Sequence, residues 1–218
     1  MINISGEVLF VVIVLSGVAM LQFYKGRKIN LALMQAYAKG FESKLKIKNQ
    51  LYTWIGGYAG FKAEYDIMDK FLNKIEITLT LLSRQSFFWF PVSYAITKGD
   101  RLYIIIRPKF KIQRDAHIVK KFYYLFGAGI KEKLKRKEFK EFNFRKFYYL
   151  CEDEGDINSL LEIVKNSIEI ERLRHIAFVK ETNILYCLIK PDPNKTPSEI
   201  EKLLESFSRY FKVSDRRV

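Results

Sequence analysis

An α+β domain behind a single membrane-crossing helix is what this 218-residue sequence predicts. Three observations predict it: an uncharged apolar run opens the chain, a period-two strand pattern occupies its centre, and a capped amphipathic helix closes it. Helical and extended patterns follow one another in mixed rather than regularly alternating order, which separates α+β from α/β. The roughly 190 residues after the run are enough for one sizeable core.

The run from Val8 to Phe23 carries no formal charge, and with Tyr24 it covers about 25 Å as a helix. Residues 8–24 are therefore expected to span a bilayer. Glu7 is the one charged side chain before them and no small-residue cleavage pattern closes the run, so a cleaved export signal is not expected. Lys25, Arg27 and Lys28 follow at once. By the positive-inside tendency, residues 1–7 should lie outside and everything from 25 onward in the cytosol. A buried core helix is the competing account of the run, opposed by the absence of any polar face.

Residues 25–46 predict a juxtamembrane amphipathic helix, with Leu31, Met34, Tyr37, Ala38, Phe41 and Leu45 at helical spacing. The cytosolic α+β domain is expected over 47–218. It opens with a hairpin or irregular strands turning at Gly56-Gly57. Ile75, Ile77, Leu79 and Leu81 alternate with Glu76, Thr78 and Thr80, the signature of a strand with one buried face. Pro91 argues against a central strand in the aromatic segment that follows, and Lys98-Gly99-Asp100 should turn into a strand over 101–107. A short helix is expected between Asp115 as cap and Gly127, with Ile118, Val119, Phe122 and Phe126 inward. Residues 156–170 read as a helix and 175–192 as two strands joined at 181–183. In the last helix Thr196 should cap, Pro197 take the first position and Glu199 complete a capping box. Its stripe is Ile200, Leu203, Leu204, Phe207 and Phe211.

The net charge of +14 is unevenly spread: residues 98–150 hold 16 Lys/Arg against 5 Asp/Glu. Such a region faces a polyanion, either RNA or anionic lipid headgroups. Within it Lys131, Lys133, Lys135, Arg136, Lys137, Lys140, Arg145 and Lys146 are the candidate contacts, interleaved with Phe139, Phe142 and Phe144; an ordinary solvated face is the competing account. A second candidate is Phe87, Phe88, Trp89 and Phe90, which cannot all enter one core if extended. Core burial is slightly favoured there, and an apolar patch for a membrane partner is the alternative.

Enzymatic chemistry is not legible. His117 and His175 are the two histidines, 58 residues apart without metal-site spacing, and are expected to be structural. The glycine clusters at 56–60 and 127–129 lack a nucleotide-binding pattern. The acidic stretch at 152–156 lacks alternating calcium ligands. Cys151 and Cys187 suit a reducing compartment, and no cofactor or metal is expected.

"LLSRQSFFWFPVSYAITKGDRLYIIIRPK" and "ILYCLIKPDPNKTPSEIEKLLESF" are similar to segments of the calumin family, the coiled-coil-containing subunit of the intramembrane chaperone complex called protein associated with the translocon. The resemblance rests on Arg84, Gln85, Phe87, Phe88, Asp100, the Leu102 to Ile106 strand and the final strand, loop and helix. It implies a cytosolic domain docked on the ribosome and Sec translocon beside a small Asterix-like membrane protein, assisting insertion of multipass proteins without catalysis. The family's acidic luminal region and C-terminal coiled coil have no counterpart in these residues, so calcium binding is not carried over and ribosome contact would rest on the domain's own cations. The alternatives are a membrane-tethered enzyme acting on lipid or nucleic acid, and a scaffold binding anionic lipid.

Overall fold

The computed structural model describes residues 5–125, 135–139, 147–151 and 154–214. It opens on α1 (Gly6–Lys44), a single helix of 39 residues, about 58 Å long at 1.5 Å per residue. The apolar run and the expected juxtamembrane helix are thus one rod. The Lys25–Lys28 region carries no proline, and its Gly26 stays within the helix rather than ending it. Along it Gly26, Asn30, Met34, Tyr37 and Phe41 are buried, one position per turn, and this stripe fixes the rod to the domain.

After α1 come β1 (Ile47–Ile55), β2 (Gly60–Ile67), β3 (Leu72–Thr80), α2 (Trp89–Thr97), β4 (Arg101–Pro108), β5 (Ala116–Lys120), α3 (Lys121–Leu125), β6 (Lys135–Phe139), β7 (Phe147–Cys151), α4 (Glu154–Ser167), β8 (Leu173–Val179), β9 (Ile184–Ile189) and α5 (Thr196–Ser214). The described strands form one sheet in the order β1-β2-β3-β4-β9-β8-β5-β7-β6, every pair antiparallel. The α+β class stands. Ile75, Ile77 and Leu79 of β3, Leu102, Ile104 and Ile106 of β4, and Leu185, Cys187 and Ile189 of β9 share the inner face. There they pack with the α1 stripe and with Leu160 and Val164 of α4 and Ile200, Leu203 and Phe207 of α5. The outer face of β2, β3 and β4 is polar, with Glu64 held by Lys62 and Lys74 and Glu76 by Lys62 and Arg107.

Three local expectations are corrected. Residues 116–120 form a strand rather than the first turn of a helix: β5 lies between β7 and β8, buried on both faces, so its apolar residues show no period of two. Asp115 does not cap that segment; its Oδ1 accepts the Lys180 amide, 2.7 Å away. Phe126 and Gly127 lie outside the described residues. At α5 the capping box is not made, because Thr196 Oγ1 accepts the Asp192 amide at 2.8 Å while Glu199 turns to Arg172 and the Glu169 amide. A nearly buried guanidinium, whose other carboxylate neighbour Glu169 is half exposed and 3.7 Å away, outcompetes a helix-end amide that can be satisfied otherwise. Ile200, Leu203, Leu204 and Phe207 are buried as the stripe requires.

Candidate membrane-proximal interaction site

The described residues hold one helix long and apolar enough to cross a membrane, and none of its apolar window is buried against the domain. Where α1 leaves that window it meets the loop between β3 and α2. Gln22 Nε2 donates to the Arg84 carbonyl oxygen at 2.7 Å. A Cβ at Gly26 would stand 2.2 Å from the Arg84 carbonyl carbon and oxygen, so only glycine permits this approach.

One turn on, Asn30 is completely buried. Its Nδ2 donates to the carbonyl oxygens of Tyr58 and Leu82, both at 2.9 Å, and its Oδ1 accepts from Arg84 Nη1 at 3.0 Å. Arg84 also makes a two-pronged pair with Asp100, Nη1 to Oδ1 at 3.0 Å and Nη2 to Oδ2 at 2.7 Å, while Asp100 Oδ1 accepts the Leu82 amide. Helix, hairpin turn, loop and sheet are thereby fastened at one point. Arg84 and Gln85 both meet Asn30, whose Nδ2 lies 3.4 Å from Gln85 Oε1, and Asp100 joins them through Arg84.

The aromatic segment projects from this junction. Pro91 falls in the first turn of α2, where a missing N–H costs nothing, and Lys98 ends the helix in the left-handed region with φ 52°. The slightly favoured core burial does not occur: Phe87 is 37%, Phe88 77%, Trp89 55% and Ile96 62% exposed, with Phe90 half-buried. The Ser93 and Thr97 hydroxyls of α2 are turned onto its own backbone, Ser93 to the Phe90 carbonyl and Thr97 to the Ser93 carbonyl. What remains outward is almost wholly apolar. Nearby, Arg27 stacks 4.6 Å over the Tyr58 ring, which meets Trp54 edge to face, so aromatic rims and cations surround the exit of the apolar window.

The basic candidates fall mostly outside the described residues. Lys131, Lys133, Lys140, Arg145 and Lys146 lie outside the described residues. Lys135, Arg136 and Lys137 fall on β6, the sheet edge opposite β1, paired with Cys151, Leu150 and Tyr149.

Long-range folding also brings together groups that sequence spacing kept apart. His117 of β5 and His175 of β8 are both buried and their rings hydrogen-bond, Nδ1 to Nε2, at 3.2 Å. Such a bond needs one donor and one acceptor nitrogen, so the accepting ring is neutral. Burial, followed by the neighbouring His117, drives His175 down to about 3, and burial likewise lowers His117. Burial pushes the Cys187 thiol well up, which makes it a packing residue rather than a nucleophile. Among the described residues no three His, Cys, Asp or Glu side chains gather to hold a metal ion. No family model and no curated protein matches this chain.

Proposed function

We propose that this chain is a membrane-anchored, non-enzymatic factor that assists insertion or folding of multipass membrane proteins beside the ribosome and Sec translocon, with residues 1–7 outside and the α+β domain cytosolic. The observation that carries the proposal is the junction at Asn30. A protein that merely needed tethering to a bilayer could hang from a flexible linker; here Gln22, Gly26 and Asn30 clamp the rod to the sheet and hold the exposed α2 beside it. The aromatic segment is suited to a small Asterix-like membrane partner through Phe87, Phe88, Trp89 and Phe90, and the basic segment from Lys131 to Lys146 to ribosomal RNA. Binding of that kind is strongly salt-dependent.

The test is a mild-detergent pull-down of the full-length chain from its native membrane, quantified for ribosomal RNA and Sec subunits. The partner variant carries Lys135, Arg136, Lys137 and Lys140 all changed to Glu. Co-purification that the charge reversal abolishes supports the proposal. Recovery of neither ribosomes nor translocon subunits above a control anchor overturns it and moves the lipid-scaffold and enzyme readings ahead.

A further inference from the structure

At one end of the sheet β4 begins, β9 ends and β8 begins, with Leu102, Ile189 and Leu173 side by side. Strand register there gathers cations far apart in the chain: Lys98, Lys190 and Arg174 line an open cleft of about 510 Å³ together with Lys120 and Tyr123. Gly99 floors the turn between them, its missing Cβ pointing to Arg174 Nη2 and Lys190 Cε, each 3.8 Å from where it would be.

Arg174 gives the cleft its character. It is 5% exposed, its Nη2 donates to the Lys98 carbonyl oxygen at 3.2 Å, and its guanidinium lies 5.1 Å from the Tyr123 ring centre. Its Nη1 is buried and has no hydrogen-bond partner among the described residues. Arg101 stands 6.0 Å over the same ring and also keeps a buried nitrogen, Nε, without a partner. Burial above all disfavours the Arg174 cation; the Arg101 charge adds to this, while Tyr123, Tyr103 and Asp100 act the other way. Two like charges side by side in so dry a place need an anion.

The carboxylates nearby do not provide it. Asp100 is engaged by Arg84, Asp192 Oδ1 accepts the amides of Asn194 and Lys195, and Glu199 is taken by Arg172. Glu171, on the rim, is exposed and has an interaction of its own.

We propose that this cleft binds a phosphate group, with the buried Arg174 fork as its central donor and Lys98 and Lys190 closing over it from the rim. Phosphate suits the site better than a single carboxylate, because it can carry two charges and offers several oxygens to an arginine fork flanked by lysines. The phosphate belongs either to a lipid headgroup or to a free phosphate compound. Lys98, which also caps α2, sets the cleft at the end of the exposed apolar helix. The inference does not depend on ribosome or translocon docking.

The experiment uses full-length protein in neutral detergent and follows thermal unfolding in three arms: inorganic phosphate, dihexanoyl phosphatidic acid, and dihexanoyl phosphatidylcholine as the control for acyl chains. The expected result is a saturable rise in unfolding temperature with phosphatidic acid beyond the phosphatidylcholine control. It should be lost in Arg174→Gln and need at least about tenfold more ligand in Lys190→Gln, as when one charge-assisted hydrogen bond is removed. An equal rise with inorganic phosphate would assign the site to free phosphate compounds; a rise with phosphatidic acid alone would assign it to lipid. No rise in either phosphate arm overturns the proposal, as does wild-type titration by both variants. Should Arg174→Gln fail to fold, the exposed Lys190→Gln decides the matter alone, and its wild-type titration overturns the site.

Discussion

Arg84 and Arg174 approach the same short turn, 98–100, from two sides, and the contrast between them organises this molecule. Arg84 meets a carboxylate in two-pronged geometry, the Asn30 amide oxygen completes its shell, and its backbone receives Gln22. Arg174 is more deeply buried, yet it receives one carbonyl oxygen and the face of a tyrosine. A buried charge with its partner present is a fastener; a buried charge without one is a place for something else to bind. The histidine pair shows a third way of burying ionisable groups, which is to keep them neutral.

The largest effect should come from breaking the fastener. Asp100→Asn leaves the Arg84 cation without its counter-ion and should lower stability by about 3 kcal/mol, read from the chemical denaturation midpoint of the detergent-solubilised chain. Gly26→Val attacks the same junction from the helix side, where the new Cβ would meet immovable backbone. A loss of about 2 kcal/mol is expected, together with faster proteolysis in the 81–88 loop.

Acidification separates the neutral pair from the charged ones. The folded-state value of His175 is depressed to about 3 from 6.5, so the unfolded chain binds more protons between those values and stability falls as pH drops below about 6.5. The Lys62 hydrogen bond, then that from Lys74, holds Glu64 down to about 2 from 4.5, so its contribution is lost only below about pH 4.5. Unfolding temperatures of a His117→Asn, His175→Gln double variant should therefore depend less on pH between 6.5 and 4.5, while Glu64→Gln should flatten only the more acid range.

Without ligand, Arg174→Gln should change stability by less than about 1 kcal/mol, because losing one hydrogen bond is offset by removing an unmatched buried charge. A loss as large as that of Asp100→Asn would erase the contrast between the two arginines. The smallest stability effect belongs to α2. Replacing Phe88 and Trp89 by Ser should leave the unfolding midpoint within about 0.5 kcal/mol while, on the proposed function, lowering recovery of Sec subunits in the pull-down.

Local sequence pattern made β3, β4, the β8–β9 hairpin and the α5 stripe legible, because each lies on the boundary between core and solvent and so alternates with a helical or strand period. The pattern failed where that boundary is missing. β5 is buried on both faces and read as a helix, and α2 is apolar on nearly every side, so no period marked it as a helix at all. The apolar run and its cationic exit were plain in the sequence; that the rod continues unbroken to Lys44 and is clamped at Asn30 was not.

By itself, then, the sequence determined which segments are apolar, where charge accumulates and which strands have two unlike faces, since these follow from neighbouring residues. Only the tertiary structure decided which buried charge receives a partner. Arg84 finds Asp100 at a separation of 16 residues and Asn30 at 54, His117 finds His175 at 58, and Arg174 reaches the Lys98 carbonyl across 76 without pairing to a carboxylate among the described residues. Those outcomes are set by strand order and register across the sheet, where one residue's slip would turn every side chain to the opposite face.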